Sequence, residues 1–400
     1  VTEPAAGPTG RRWPILLALV LVTLNLRTAL ASIPAVEVDI VDATGWSATV
    51  AGALTMLPVL AMGAFALVVP RLAARIGRRR TVALALLIIT VAFLMRLGAL
   101  VPGVLHLSAL LAGVGIALAA GLVPAVVREQ LPRSIGVATS LWTAGMMTGA
   151  ALAGALTVPL AARLGSWQVA LAAWAIPAAL AAVVWWLVEE RGHPEHPRAD
   201  EPARPPVRLR DLPWRNPHAR VLSAYLLFNS IIFYTTLAWL DPSYVAHGAT
   251  RQDAGLMFAA YSTTPILGSL LMPALAQRLR ARRTVFAVMV LLTTLPLAAL
   301  AFAPTMLPGL NAAIFGFGAG AGFAMGLALL SEWPVDPAAS ARLTAMTYST
   351  MYLIAAFGPL AGGALLDLTG SWSVLFATLV AVSLLQLATV VGLRRGVQIS

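Results

Sequence analysis

The chain has 400 residues, 59% of them hydrophobic and 11% charged, with a mean hydropathy of +0.85; soluble domains have about 45–50% apolar and roughly 25% charged residues. This composition excludes a soluble enzyme, a disordered chain and a fibrous one, and leaves a polytopic membrane protein. There is no cysteine, and the five histidines are scattered, so disulfides, thiolate chemistry, metal sites and other cofactors are not expected. The net charge of +11 rests on arginine without any lysine, and it reads as a topology signal rather than as a nucleic-acid interface.

A bilayer-spanning helix takes about 20 mostly apolar residues. Twelve stretches qualify: 13–35, 47–70, 80–101, 104–127, 134–160, 167–188, 219–240, 252–277, 284–303, 305–330, 339–365 and 371–393. They predict an all-α membrane protein with an N-terminal tail at 1–12, a six-helix bundle at 13–188, a linker at 189–218, a second bundle at 219–393 and a tail at 394–400. The linker is rich in Pro and Arg, and Val207–Trp214 could lie as a short amphipathic piece on the membrane surface. With the N-terminus inside, 23 of the 27 arginines fall in inside segments, while Arg163 and Arg251 fall outside and Arg27 and Arg96 within spans. Both termini are therefore expected in the cytoplasm of a multi-pass cell-membrane protein.

The chain repeats itself. Pro70–Val82, PRLAARIGRRRTV, matches Pro273–Val285, PALAQRLRARRTV, at eight of thirteen positions, and Gly165-Ser166-Trp167 recurs as Gly370-Ser371-Trp372. Matches in order at a nearly constant offset predict two homologous six-helix bundles. Two parallel repeats with a solute site between them at mid-membrane are a transporter plan. The glycines of GFGAGAG (Gly316–Gly322) lie inside an apolar span with no preceding strand. They read as close helix packing rather than as a dinucleotide loop.

The stretch Arg75-Ile76-Gly77-Arg78-Arg79-Arg80 resembles the signature loop of the major facilitator superfamily. The loop's acidic position is Ala74 here and its leading glycine is Pro70. Asn25-Leu26-Arg27, Val158-Pro159, Phe233-Tyr234, Ala238-Trp239-Leu240 and Ala355-Ala356-Phe357-Gly358-Pro359 are similar to the cyanate/2-nitroimidazole transporter branch. Where that branch usually has Gln and Gly in the eleventh span, this chain has Tyr348 and Met351. The resemblance implies the major facilitator fold, with spans 1, 4, 7 and 10 lining a central cavity.

An ionisable group within a span costs at least about 2.5–3.5 kcal/mol and needs a reason. Arg27, some 14 residues and ~21 Å into the first span, is the leading substrate-binding candidate, because a guanidinium fork holds a planar anion by two parallel hydrogen bonds. Asn25, Thr28, Trp142, Asn229, Tyr234, Tyr348 and Tyr352 are its candidate partners, with Ser32 as a further hydroxyl. Arg96 is expected to snorkel to the outer interface. Arg75, Gly77, Arg79 and Arg80, with their repeat mates Arg278, Arg282 and Arg283, are expected to act on conformation at the cytoplasmic face. All sixteen acids fall in loops or at span ends, Glu37, Asp241, Glu332 and Asp367 nearest the membrane. A side-chain proton relay is therefore not expected, and His106 and Glu332 are the candidates should a proton be coupled. No His/Asp or Ser/Lys constellation suggests an enzyme. The expected function is secondary active transport of a small anionic or planar polar solute, cyanate-like or nitroaromatic, by alternating access. Efflux of drug-like aromatic compounds is the alternative. The expected partners are that solute and membrane lipids, with no nucleic acid, and the expected state is a monomer.

Overall fold

The computed structural model describes residues 12–65, 68–130, 135–190, 209–278, 282–393 and 397–399. In hydrocarbon every backbone polar group must be satisfied internally, which long apolar runs achieve as helices. The first half holds α1 (Arg12–Ala31), α2 (Glu37–Thr44), α3 (Ala48–Phe65), α4 (Val69–Ile76), α5 (Arg78–Met95), α6 (Val104–Gln130), α7 (Ile135–Leu164), α8 (Trp167–Ala173) and α9 (Ala175–Glu190). The second holds α10 (Pro217–Ala246), α11 (Arg251–Arg278), α12 (Arg282–Phe302), α13 (Pro308–Glu332), α14 (Pro337–Ala355), α15 (Phe357–Thr369) and α16 (Trp372–Val390). Twelve spans result, because α1 runs on into α2, α8 into α9 and α14 into α15.

The two halves pack alike. Within the first, α1 lies on α7 and α9, α3 on α6, and α5 on α6 and α9; within the second, α10 lies on α14 and α16, α11 on α13, and α12 on α13 and α16. These are the same contacts shifted by six spans. Between the bundles α7 meets α11 and α3 meets α14 and α15, a pair of contacts that a two-fold axis exchanges. The repeated Gly-Ser-Trp is a helix junction used twice. Gly165 and Gly370 take φ of 69° and 62°, a left-handed turn that suits glycine. Ser166 and Ser371 then cap the next helix by accepting from the Val169 and Val374 amides.

Two sequence expectations are corrected. The first span extends to Thr44, because the chain passes through a 3-10 turn at Pro34–Val36 straight into α2. Glu37 is thereby buried, and Asp241 lies inside α10 and is buried too. Arg96 does not snorkel. The 3-10 turn Arg96–Gly98 at the end of α5 carries it inward, where it is fully buried over the Phe93 ring, 4.7 Å away. It donates to Ala29 O at 2.9 Å and Ser32 Oγ at 2.8 Å. The closing carbonyls of a helix lack intrahelical partners and carry its negative pole, so Arg96 completes the end of α1. Most of the linker lies outside the described residues; at Leu209–Asp211 it is a 3-10 turn, followed by buried Leu212 and exposed Trp214. At the other end of the chain Ile399 forms a β-bridge with Pro334.

Candidate functional site

Arg27 stands near the middle of the first span, Pro14–Thr44. Its guanidinium reaches across to the second bundle, with Cζ 5.5 Å from the Phe233 ring centre and 6.0 Å from that of Tyr234. No carboxylate among the described residues pairs with it, and its Nε is buried without a partner. Beside it is a cavity of about 10 Å³ lined by Leu30, Ala31, Met147, Ala150, Leu237 and Ser262, with room for about one water. The Ser262 hydroxyl is also buried and unpartnered. Cation–π attraction supplies about 0.5–2 kcal/mol, against a desolvation penalty of several kcal/mol for a buried charge. The site is therefore short of negative charge and of hydrogen-bond acceptors.

An aromatic wall continues from this point on the second bundle. Tyr234 lies 6.4 Å from Tyr352, and Tyr352 lies 5.7 Å from Tyr348, between ring centres. On the other side Phe233 stacks on Tyr261 at 5.6 Å and Tyr261 on Phe315 at 5.4 Å. The Tyr261 hydroxyl donates to Phe233 O at 2.9 Å, which fixes the kinship of α10 and α11 at the depth of Arg27. Four of the expected residues, Arg27, Tyr234, Tyr348 and Tyr352, thus form one continuous surface. Tyr261 and Ser262 belong with them and were missed by sequence reasoning. The available signal was a Tyr-Ser-Thr-Thr run (Tyr261–Thr264) inside an otherwise apolar span.

The other expected partners lie elsewhere. Asn25 donates to Leu21 O at 2.8 Å and Pro177 O at 3.2 Å, holding α1 to α9. Thr28 donates to Leu24 O at 2.9 Å and Gly149 O at 3.1 Å, holding α1 to α7. Asn229 reaches Ala319 O at 3.5 Å on α13, and Ser32 serves Arg96. Trp142 is half-buried on α7, and no described ring contact joins it to the aromatic wall. His106 sits at the start of α6, with Nε2 3.1 Å from Val50 O and its ring 4.8 Å from Trp46. Glu332 accepts both terminal nitrogens of Arg282, at 2.8 and 2.5 Å. That fork ties the start of α12 to the end of α13, so Glu332 already has its charge partner. Arg79 stacks on Trp186 at 4.2 Å and donates to its carbonyl at 3.0 Å, tying α5 to α9. Gly77, at φ 85°, turns α4 into α5. Arg75, Arg80 and Arg283 are exposed, and the Arg278 side chain lies outside the described residues.

The polar contacts described between the bundles gather at the end of the molecule that carries α2. Arg251 of α11 pairs with Asp39 and, at 3.3 Å, with Asp42. Asp367 of α15 accepts from the amides of Ala48 and Thr49 at 2.8 Å each and from the Thr49 hydroxyl at 2.5 Å. Asp367 thereby caps the first turn of α3 from the opposite bundle. An N-cap contributes about 1–2 kcal/mol, and one or two kcal/mol is a factor of roughly 5–30 in an equilibrium. Asp367→Ala should shift the molecule toward opening at the α2 end by about that factor. Alkylation of a single cysteine placed at Val245, in the cleft behind this contact, checks it; unchanged reactivity would count against the closure.

The paired bundles, the unpartnered mid-membrane arginine and the closure at one end define a secondary-transporter architecture. The comparisons agree. The Major Facilitator Superfamily matches over residues 15–247 and again over 222–396. The cyanate transport protein CynX of Escherichia coli (strain K12) is 32% identical over 90% of this chain and 91% of its own. The 2-nitroimidazole transporter of the same organism is 29% identical over 84% and 83%. Among solved structures, the nucleoside transporter NupG superposes with a TM-score of 0.76 at 15% identity over 95% of this chain and all of that one. A bacterial homolog of the human lysosomal transporter Spinster does so with 0.76 at 17% identity, over 97% and 95%. The chain belongs to the major facilitator superfamily, as the resemblance implied, and it is a multi-pass membrane transporter rather than an enzyme.

Proposed function

We propose that this protein moves a small anionic or planar polar solute, cyanate-like or nitroaromatic, by alternating access. The observation that carries the reading is Arg27, a guanidinium between the bundles with no acidic partner among the described residues, flanked by flat aromatic faces. A planar anion supplies the missing charge to the fork, and the faces of Phe233 and Tyr234 accept its apolar surface. The relatives named for cyanate and for 2-nitroimidazole support this solute class. The aromatic wall from Phe315 to Tyr348 favours, as a second reading, export of larger aromatic compounds. Counterflow of labelled cyanate and of a nitroaromatic in proteoliposomes separates the two; exchange of neither would refute the first.

The arginine distribution supports an orientation with both termini in the cytoplasm, so that α2 lies outside. In that orientation the structure is closed to the outside. The absence of native cysteine makes the check clean. A single cysteine at Ala43, which is exposed, should react with an impermeant reagent from outside, and one at Asp200 only after the membrane is breached. The reverse pattern would overturn the topology.

A further inference from the structure

Two carboxylates that the sequence places at span ends are buried between the bundles at the α2 end. Glu37 belongs to the first bundle and Asp241 to the second, with 6% and 2% of their surfaces exposed. The 3-10 turn before Glu37 packs on α10, which carries Asp241, and the two acids are within electrostatic reach of each other. Neither accepts a hydrogen bond or an ion pair among the described residues, and Asp241 Oδ1 is buried without a partner. Glu37 lines a cavity of about 360 Å³ that also touches Trp239, Trp372 and the exposed Asp42 and Asp367. Water can therefore reach Glu37 from outside. On the inner side, Asp241 stands one helical turn beyond Leu237, which lines the Arg27 cavity.

The surrounding charges are otherwise engaged. Arg251 from α11 is held by Asp39 and Asp42, and Asp253 accepts from Thr250. On α10, His247 bonds Ser243 O and the Tyr244 hydroxyl bonds Pro308 O. Asp367 of α15 caps α3, His106 of α6 holds Val50 O, and Arg163 of α7 is exposed. Arg27 faces the rings of Phe233 and Tyr234 beyond Leu237, and Arg96 is held by Ala29 O and Ser32 Oγ, so no described cation pairs with either acid. Two like charges in one poorly solvated place cannot both persist. The position of Glu37 at the start of α2 favours its charge only modestly.

We propose that Glu37 and Asp241 form a proton-binding site that spans the outer closure, so that closing the outside takes up at least one proton from the outer solution. A hydronium in the Glu37 cavity gives its proton to a carboxylate oxygen of the pair and leaves as water. Opening the closure parts the two acids, wets them and releases the proton. Outer pH thus acts as a co-ligand of the closed state, on a site distinct from Arg27 but only one helical turn from its cavity.

The test uses full-length protein in detergent, where neither the solute nor the orientation in the membrane enters. Spin labels on Ala43→Cys and Leu368→Cys, exposed residues on opposite bundles, report the opening by their distance distribution. In the parent the ratio of open to closed should rise with pH, by about tenfold per unit where one proton is linked. Glu37→Gln with Asp241→Asn should stay closed and lose that dependence, and each single variant should reduce it. Infrared spectra should show a protonated-carboxyl band in the parent at neutral pH that both single variants weaken. A parent distance that ignores pH, a dependence retained in the double variant, an absent band, or a closure that follows sodium at fixed pH would each overturn the proposal. Should the double variant fail to fold, the parent titration and the two single variants decide.

Discussion

Arg27→Ala should lower the affinity for the solute by roughly 100- to 4,000-fold, since breaking one side of a buried charge pair costs about 3–5 kcal/mol and each 1.4 kcal/mol is tenfold. The empty protein should not suffer. Arg27 makes no described hydrogen bond, its Nε has no partner, and only ring faces oppose it. Removing an unsatisfied buried charge relieves a penalty, so thermal stability should hold or rise. Arg27→Lys keeps the charge but loses the flat fork that matches a planar anion and stacks on rings, and should fall between the two. Arg96→Ala is the contrast. Arg96 is equally a span arginine, but it holds Ala29 O and Ser32 Oγ. Its loss should destabilise the fold and leave the affinity of the surviving protein near that of the parent. Binding titrations and melting curves on the three variants separate the cases. Undiminished binding by Arg27→Ala would remove the main support for an anionic solute.

The contrast also shows what a sequence reveals of such a site. Hydropathy made the twelve spans legible, because the bilayer imposes length and composition on each one. The repeat made the two-bundle plan legible, and Gly165 and Gly370 show why those letters recur: both junctions need the same left-handed turn. What a polar residue does within a span was less legible. Asn25 and Asn229, 204 residues apart, stand at nearly equivalent places in the repeat, but helix packing decides that one meets Pro177 on α9 and the other Ala319 on α13. Arg27 and Arg96 look alike as letters; a 3-10 turn after α5 puts one in a helix joint and leaves the other between the bundles.

The acids were misread for a related reason. Pro34 followed by Glu37, Asp39 and Asp42 has the composition of a loop, and Asp241-Pro242 that of a helix end. The chain instead continues in both places, since the proline ring is tolerated in a turn between helices and at a kink. Two carboxylates were thereby carried into the closure. Tyr261 and Ser262 escaped notice because their span carries no charge at mid-depth, and a lone hydroxyl in a helix is usually satisfied by its own backbone. The Ser262 hydroxyl is not, a fact visible only in three dimensions.

The closure at the α2 end depends on how nearly two backbones can approach, and Gly363→Val should block it. A Cβ at Gly363 would run into the carbonyl group of Ala48 and the Cα of Thr49. These are backbone atoms of α3 that cannot rotate away, and they adjoin the amides that Asp367 caps one turn further along α15. Any side chain there separates α15 from α3 and breaks the cap as well. Overpacking of about 1–3 kcal/mol with a lost cap of about 1–2 kcal/mol disfavours the closed state by roughly 30- to 4,000-fold at the tenfold-per-1.4-kcal/mol conversion. The alternating access proposed above needs that state in every cycle, so turnover should fall by a comparable factor. Solute should still bind from the open α2 end, because Gly363 touches neither Arg27 nor the aromatic wall. Gly363→Ala removes the objection that the helix itself is damaged: alanine is favoured over glycine in a helix by about 1 kcal/mol, so a weakened helix cannot explain a loss of turnover. Counterflow together with cysteine reactivity at the α2 end measures both effects. Parent-like turnover with Val at 363 would mean that the contact between α3 and α15 is not a gate.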